Sequence, residues 1–545
     1  MVLQRFIEKD GNSNFDVIII GGGISGAAMA YEAAGRGLSV ALFEKSDYGG
    51  ATSSATSKLI HGGLRYLKNM ELGLVRESLK ERKIMSDIAP NFVYPLPFMI
   101  PVYGPGKKEK WMLEAGMVLY DGLSYDKGFT RDPTKKLGRF KKYNPEETLQ
   151  LECCVKPENL EGSMVYYDTQ NIFPERLTLA FLKSAARLGA QLSNYSRVKR
   201  LLRNNGVVTG VEVVDEKNNR EKTFTSPVTI NCTGPWADIL LENSGTSSSR
   251  HHVRRSEGIH IITKKLCNEH AVSVMTDSGR HMMVMPWRNL SLIGTTDNDF
   301  NGDPDNYKVS RERIEGLLNE VNTYYNTKEK LQYEDVMFYY GGLRPLADAD
   351  TENTYDSSRK YEIYDNAEDG FDGLFTVEGG KYTTSRQLAV DVMKQIEKKL
   401  PVNSAPSNSN KVFLYGSEIQ NMDLFMESLH RSYPDFQEAT IDFLGKNYGT
   451  VSHEIFMLAR EDKSLAEVVN TDGEILAEVA YALRYESVLH LTDILFRRTG
   501  IGGTGHPGND ILEKVGKLAA HHLKWSKKEL RKEMEEVQRR FRLPE

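Results

Sequence analysis

FDVIIIGGGISGAAMAYEAAGRGLSVALFE, residues 15–44, is the stretch from which the fold is read. It opens with Val17-Ile18-Ile19-Ile20, a β-branched run with no polar alternation, as a central parallel strand buried on both faces must be. Gly21, Gly23 and Gly26 follow at G-x-G-x-x-G spacing. Ala27, Ala28 and Ala30 begin a helix that Gly35 and Gly37 end, and a second apolar run, Leu38 to Phe43, stops at Glu44. Strand, glycine turn, helix, strand and acid is the order of a dinucleotide-binding unit. Gly21 allows the tight turn, Gly23 lets backbone come close to a pyrophosphate, and Gly26 lets the helix pack on the strand. Unpaired N–H groups and the dipole at the helix N-terminus favour the diphosphate. Glu44 is placed to accept hydrogen bonds from ribose hydroxyls. The glycines alone are weak; their strand–turn–helix–strand setting carries the reading.

Around this unit lies a chain of 545 residues, enough for about three or four domains of ~150 residues. A formal net charge of -5 argues against a dedicated nucleic-acid binder. Cys153, Cys154, Cys232 and Cys267 form no C-x-x-C pair, so neither a zinc site nor a redox dithiol is expected, and a reduced, cytosolic-side protein is. No apolar run approaches the ~18–20 residues that span a bilayer. Met1 to Asn14 is charged and lacks the apolar segment of a signal peptide.

Further along, Leu72 to Ile88 reads as an amphipathic helix that Tyr94-Pro95-Leu96-Pro97 breaks, with a short strand at Met99 to Val102. Lys107 to Lys110, beside Trp111, and Lys135 to Lys142 read as basic loops, solvated rather than in contact with a membrane, which is the alternative reading. A second helix covers Glu175 to Leu188. Short strands follow at 198–202, 207–214 and 222–224, and Val228 to Asn231 runs into Cys232-Thr233-Gly234, where a dinucleotide would be gripped a second time. Gly245 to His252 reads as a polar loop. Residues 259–296 alternate in strand-length segments with a hairpin turn at Trp287-Arg288-Asn289, and Arg311 to Tyr325 is helical. A strand at Leu374 to Val377 precedes Glu378-Gly379-Gly380-Lys381 and a helix from about Thr383 to Lys399. Pro401 to Asn410 is the clearest linker, and the rest is helical.

Three segments set charged side chains beside glycine pairs: Ser57 to Tyr66, Gly341 to Pro345, and Gly379 to Thr384. Glycine pairs admit a flat ligand close to backbone, and the cations beside them suit an anion. Together ATSSATSKLIHGGLRYL, NCTGPWAD, IGTTD, GGLRPL, EGGKYTTSRQLA and LRYESVLHLTDILFRRT closely resemble the FAD-dependent glycerol-3-phosphate dehydrogenases, in order from about Asp16 to Thr499. The resemblance implies an α/β protein. It has a Rossmann-like FAD-binding domain (14–95, 160–250, 346–400) interleaved with a mixed β-sheet substrate domain (96–159, 251–345). A linker at 401–411 leads to a C-terminal α-helical domain, 412–545.

It further implies oxidation of sn-glycerol 3-phosphate to dihydroxyacetone phosphate, hydride passing from C2 to flavin N5 and electrons leaving through a membrane quinone. Carried over by position, substrate contacts fall on His61, Arg65, Tyr66, Arg344 and Lys381. FAD contacts fall on Gly21, Gly23, Gly26, Glu44, Ser53, Ser57, Gly234, Gly380 and Thr383. Asn171 to Arg176 departs from the family pattern, and nothing is carried over there. Arg65 and Arg344 suit a phosphate dianion, Lys381 suits developing negative charge, and His61 is the candidate base or simply a hydrogen-bonding partner. Thr295, Thr296 and Asp297 are placed either to line the pocket or to turn the strand end. Peripheral membrane contact on the inner face of the cell membrane is expected, with the basic stretch Lys524 to Arg542 one candidate for it and a homodimer contact another use of the same helix. Alternatives are an oxidase of the same substrate, an amine or amino-acid oxidoreductase of the same fold, and a non-catalytic flavin-binding partner. No metal is expected.

Overall fold

A computed structural model describes residues 1–9, 11–67, 69–104, 107–245, 253–346, 360–400 and 402–545, the side chains of 107–109 excepted. The run Val17–Ile20 lies inside a six-stranded sheet. The strand order is Tyr361–Asp365, Leu374–Gly379, Val228–Asn231, Val17–Ile20, Val40–Phe43, Gln191–Ser193. All neighbours are parallel except the antiparallel edge strand Tyr361–Asp365. Alternate side chains of a strand face opposite ways, so this run needs two cores. Val17 and Ile19 pack with helices Ile24–Gly35, Pro174–Arg187 and Ser385–Ile396. Ile18 and Ile20 pack with Leu201, Val211, Val213 and Phe224 of a three-stranded antiparallel sheet. That two-sided burial is why the run carries no polar residue.

A second, ten-stranded sheet supplies the other wall of the site. Its central strand Arg254–Lys264 pairs with Leu290–Gly294, Asn298–Phe300 and Phe338–Leu346. Helix Arg311–Tyr324 covers one face through Ile314, Leu317 and Val321. Helices Leu72–Ile88 and Lys107–Leu123 cover the other through Leu79, Met117 and Tyr120. Strands Leu59–Ile60 and Leu160–Asn171, expected with the dinucleotide domain, belong to this sheet instead, because they pair with each other and with Val93–Tyr103. The chain after residue 411 folds into helices around a core of its own, including Leu444, Phe456, Tyr481 and Leu495.

Several local expectations change. The expected break at Tyr94 to Pro97 is continuous strand, Val93–Tyr103. Pro95, Pro97 and Pro101 fall at a period of two, so their missing N–H groups face one edge and the other edge keeps its donors. The expected basic loop at Lys107 to Lys110 is the start of helix Lys107–Leu123, a run rich in Lys, Glu, Met and Leu that favours helix. Lys135 is no solvated loop residue. It is buried with Nζ 3.4 Å from the centre of the Tyr94 ring, and burial pushes its ammonium down to about 7. The linker is tied down as a strap: Ala405 N–H donates to Arg36 O (3.0 Å) and Arg386 to Ser409 Oγ (3.1 Å). The expected polar loop Gly245 to His252 lies, beyond its first residue, outside the described residues.

Candidate active site

The glycine turn is as tight as its spacing demands. Gly21 has φ +108°, and a Cβ there would lie 2.5 Å from Cys232 O. A Cβ on Gly26 would lie 1.9 Å from Gly21 O, so only glycine lets the helix start this close to the strand. Gly23 is the N-cap of helix Ile24–Gly35; a Cβ there would face Ser53 Oγ at 3.1 Å. Ser53 Oγ reaches across and accepts the Ile24 N–H at 2.9 Å. Glu44 is fixed by three donors: Gly22 N–H to Oε2 (2.6 Å), and Ser46 N–H (2.8 Å) and hydroxyl (3.0 Å) to Oε1. The second grip is Asn231-Cys232-Thr233-Gly234, where Asn231 Oδ1 accepts from the Thr233 N–H and hydroxyl and Gly234 takes φ +58°.

A third turn, Gly379-Gly380-Lys381, leaves the six-stranded sheet with φ +70° and +92° at its glycines, a backbone path that favours glycine. It meets the loop after Leu59–Ile60, where Thr383 Oγ1 accepts the His61 N–H at 3.2 Å. Gly62 is required there, since a Cβ would sit 2.4 Å from both Leu79 and the Tyr120 hydroxyl. Gly62 N–H donates to Asp168 Oδ1, a buried carboxylate that also holds Arg82 and Tyr120 at 2.5 Å each. His61 opens on the cavity but is otherwise enclosed. Burial pushes its imidazole down to about 4; Asp168 opposes this, and Lys381, Arg65 and Arg82 add to it. The ring is therefore neutral at pH 7, and the burial and cations that keep it so also make it a weaker base than an ordinary imidazole.

Three cations stand nearby. Lys381 Nζ donates to Ser78 Oγ at 2.8 Å, and burial lowers its pKa, with Arg65 adding to the effect. Arg65 donates to the Tyr66 hydroxyl at 3.2 Å. Arg344 projects from strand Phe338–Leu346 into space that a Cβ on Gly258 would fill, 1.9 Å from its Nη2. Its guanidinium donates to Thr295 Oγ1 (2.6 Å), Thr296 O (3.2 Å) and Ser256 Oγ (3.3 Å) and pairs with Asp297 at 3.3 Å. The expected paired donors are thus oriented by the IGTTD turn.

Of the residues expected to touch substrate or FAD, all but Gly26 line one cavity of about 540 Å³ between the two sheets, and Gly26 lies behind its wall. One of its residues was invisible in the sequence. His260 is 1% exposed, stacks on Tyr340 at 5.0 Å, and shares a 2.9 Å hydrogen bond between Nε2 and Ser57 Oγ. Its Nδ1 is buried with no partner among the described residues. Burial, Arg344 and Lys58 hold its pKa well below the ordinary imidazole value. A lone histidine in an alternating strand reads as core, and no spacing signal distinguished it.

The donor set fits FAD: a glycine cradle for a diphosphate, a carboxylate fixed for a ribose, and a wide cavity flanked by glycine turns for a planar ring. Among the described residues, no group of His, Cys, Asp and Glu suits a metal ion.

Comparison with known proteins gives the same picture. The family model for FAD dependent oxidoreductase matches residues 16–386, and that for the C-terminal domain of alpha-glycerophosphate oxidase matches 407–530. A glycerol-3-phosphate dehydrogenase of Synechocystis sp. is 33% identical over 96% of this chain and 96% of its own. A D-erythritol 1-phosphate dehydrogenase of Brucella abortus is 34% identical over 89% of this chain and 94% of its own. Among solved structures, the glycerol-3-phosphate dehydrogenase of Bacillus halodurans complexed with FAD is 25% identical, covers 97% of this chain and 94% of its own, and superposes with a TM-score of 0.77.

Proposed function

The chain belongs to the FAD-dependent oxidoreductase family, on its glycerol-3-phosphate dehydrogenase branch, and from that premise we propose that it oxidises sn-glycerol 3-phosphate at C2 to dihydroxyacetone phosphate. FAD, when bound, supplies the hydride acceptor. The chain's own residues bind, orient and move a proton. Arg65 and Arg344 hold the phosphate dianion, Arg344 through a fork already aimed by Thr295 and Asp297. Lys381 neutralises charge that develops as the C2 hydroxyl loses its proton. His61 Nδ1 or Nε2 takes that proton, its imidazole being neutral at working pH. At the dinucleotide end, Gly21, Gly23 and Ser53 would hold the diphosphate of FAD and Glu44 its ribose, and Ser57, Gly234, Gly380 and Thr383 would border its ring. The observation that carries this reading is a neutral imidazole and three cations on one cavity that also holds the glycine turn.

The acceptor we infer is a membrane quinone, reached from a peripheral position on the inner face of the cell membrane. No helix among the described residues is long and apolar enough to cross a bilayer. Helix Lys107–Leu123 supports surface contact better than the C-terminal helix does. It exposes Trp111 (69%), Met112, Val118 and Leu119 on one face, and Tyr125 and Phe129 (76%) beyond its end are exposed as well. The lysines around it are paired, Lys110 with Glu161, Lys127 with Asp121 and Lys142 with Glu114, so the apolar side chains rather than a free cationic patch support contact with a lipid surface. Its buried face packs with Tyr66 and Leu79, so the same helix stands beside the cation cluster.

A second substrate reading has one specific support, the D-erythritol 1-phosphate dehydrogenase that is 34% identical over 89% of this chain. Both molecules are polyol phosphates and suit the same cations. Rates with sn-glycerol 3-phosphate, D-erythritol 1-phosphate and glycine, each with a quinone analogue and with oxygen as acceptor, test the proposal. The highest kcat/KM is expected for glycerol 3-phosphate with the quinone analogue, and equal peroxide formation would make the protein an oxidase.

A further inference from the structure

Residues 45–57 link Glu44 to the His61 loop, and Gly50, Thr52, Ser53, Ala55 and Ser57 among them line the cavity. The one buried charge in this segment, Asp47, faces away from the cavity and is 1% exposed. Both of its oxygens are committed to the C-terminal helical domain. Arg498 grips it with two parallel bonds, Nη2 to Oδ1 and Nη1 to Oδ2, each 2.7 Å. Arg497 Nε donates to Oδ2 at 2.5 Å, and Asn194 Nδ2 to Oδ1 at 2.9 Å. Arg497 is itself held by Asp493 at 2.6 Å, so two arginines and two aspartates form a neutral, buried set.

From Asp47 the chain of contacts runs straight into the dinucleotide turn. Gly50 N–H donates to Asp47 O at 3.1 Å, Gly49 N–H to Gly22 O at 3.0 Å, and Tyr195 N–H to Ser46 O at 2.8 Å. Gly22 in turn donates to Glu44. The backbone that would border FAD from Gly22 to Ser57 is therefore registered by two side chains some 450 residues away. A second buried ion set joins the same two domains: Glu486 with Arg176 at 3.0 Å and Lys183 at 3.1 Å. It ends on helix Pro174–Arg187, no residue of which lines the cavity.

We propose that the C-terminal helical domain is a clamp on FAD, with Asp47 the positioning residue through which Arg497 and Arg498 hold the 45–57 segment in its binding shape. This rests on FAD occupying the cavity. Removing the Asp47 charge leaves two buried guanidinium groups short of a partner, and the segment must shift to let water reach them. The Glu486 set meets Arg498 only through main-chain oxygens, Arg176 donating to Arg498 O (2.8 Å) and Arg498 Nε to Glu486 O (2.9 Å), so neutralising the Glu486 carboxylate loosens the domain joint and leaves the bonds to Asp47 in place.

The test compares the flavin release of full-length holoenzymes: wild type, Asp47→Asn, Arg498→Lys and Glu486→Gln. Each is diluted into FAD-free buffer, release is followed by flavin fluorescence, and melting temperatures are taken with FAD in excess. Asp47→Asn and Arg498→Lys are expected to release FAD at least tenfold faster than wild type, with the KM for substrate unchanged within twofold when FAD is saturating. Glu486→Gln is expected to release it at the wild-type rate even where its melting temperature falls. Release that simply tracks the melting temperature across all three variants overturns the clamp, as does wild-type retention in Asp47→Asn. Should Asp47→Asn fail to fold, Arg498→Lys and Asn194→Ala, each removing only part of the grip, are read by the same criteria. Wild-type protein that purifies without flavin would overturn the FAD reading itself, a result distinct from flavin-bearing wild type with indifferent variants.

Discussion

The ammonium of Lys381 lies 4.1 Å from the centre of the Tyr66 ring, and the Arg65 guanidinium lies 4.8 Å from the same ring. Two cations share one aromatic face system, and the lysine has no carboxylate within 4.0 Å among the described residues. Burial and Arg65 together lower its pKa. A phosphate or alkoxide arriving between them would relieve the repulsion. Lys381 should therefore lose its proton, and with it part of its hold on substrate, at a lower pH than an ordinary lysine near 10.5. The KM of the wild type is expected to rise on the alkaline side below that value, and Lys381→Arg, which stays charged, to move the rise upward. KM profiles from pH 6 to 10 on both proteins check this; coincident profiles would remove Lys381 from substrate binding.

His61 gives the opposite limb. Its folded pKa of about 4 lies below the ordinary 6.5, so the neutral base persists until the pH falls through about 4. The acid limb of kcat/KM attributable to His61 is expected there rather than near 6.5. His61→Asn should lower kcat by about 10²- to 10⁴-fold with a smaller change in KM, the usual range for losing a positioned base. An unchanged kcat in the variant would leave His61 as a mere wall residue.

Glu378 sits just before the Gly379-Gly380 turn with Oε1 buried and without a hydrogen-bond partner among the described residues, and burial, Asp238 and Glu362 raise its pKa to about 7. A carboxyl raised on folding binds its proton more tightly in the native state. Its contribution to stability is full below the unfolded value of 4.5 and is lost as pH rises through about 7. Glu378→Gln should gain about 3 kcal/mol over wild type at pH 8 and almost nothing at pH 4.5. Denaturant midpoints at the two values check the sign.

Lipid contact through helix Lys107–Leu123 predicts a separable defect. Trp111→Glu combined with Phe129→Glu should weaken sedimentation with anionic vesicles at least ~10-fold, since each ring contributes about 1.5–3 kcal/mol when fully buried in an apolar phase. Reduction of bound flavin by substrate should stay as in wild type. Equal vesicle binding would return the question to the basic C-terminal helix.

The parts legible in the sequence are those whose physics is local. Val17 to Ile20 announces two-sided burial because alternate residues serve two cores, and the positions of Gly21 and Gly26 are read correctly because a Cβ would meet backbone at each. The motif residues His61, Arg344 and Lys381 were gathered by resemblance, and the fold brings their three segments onto one cavity. What stayed hidden depends on partners far along the chain. His260 matters through Ser57, and Asp47 through Arg497 and Arg498, pairings that no periodicity encodes. Lys135 reads as a surface loop until Tyr94 is seen beneath it. The helix Lys107–Leu123 escaped because its exposed face is apolar, the reverse of the amphipathic pattern that marks a surface helix.

A flavin in this cavity is expected to take its electrons from glycerol 3-phosphate. Holoenzyme mixed anaerobically with sn-glycerol 3-phosphate, with no other acceptor present, measures it directly. Loss of the oxidised flavin absorbance within the turnover time, absent with the enantiomer and restored by a quinone analogue, is the predicted result. A flavin that keeps its colour in excess substrate would mean that glycerol 3-phosphate is not its reductant.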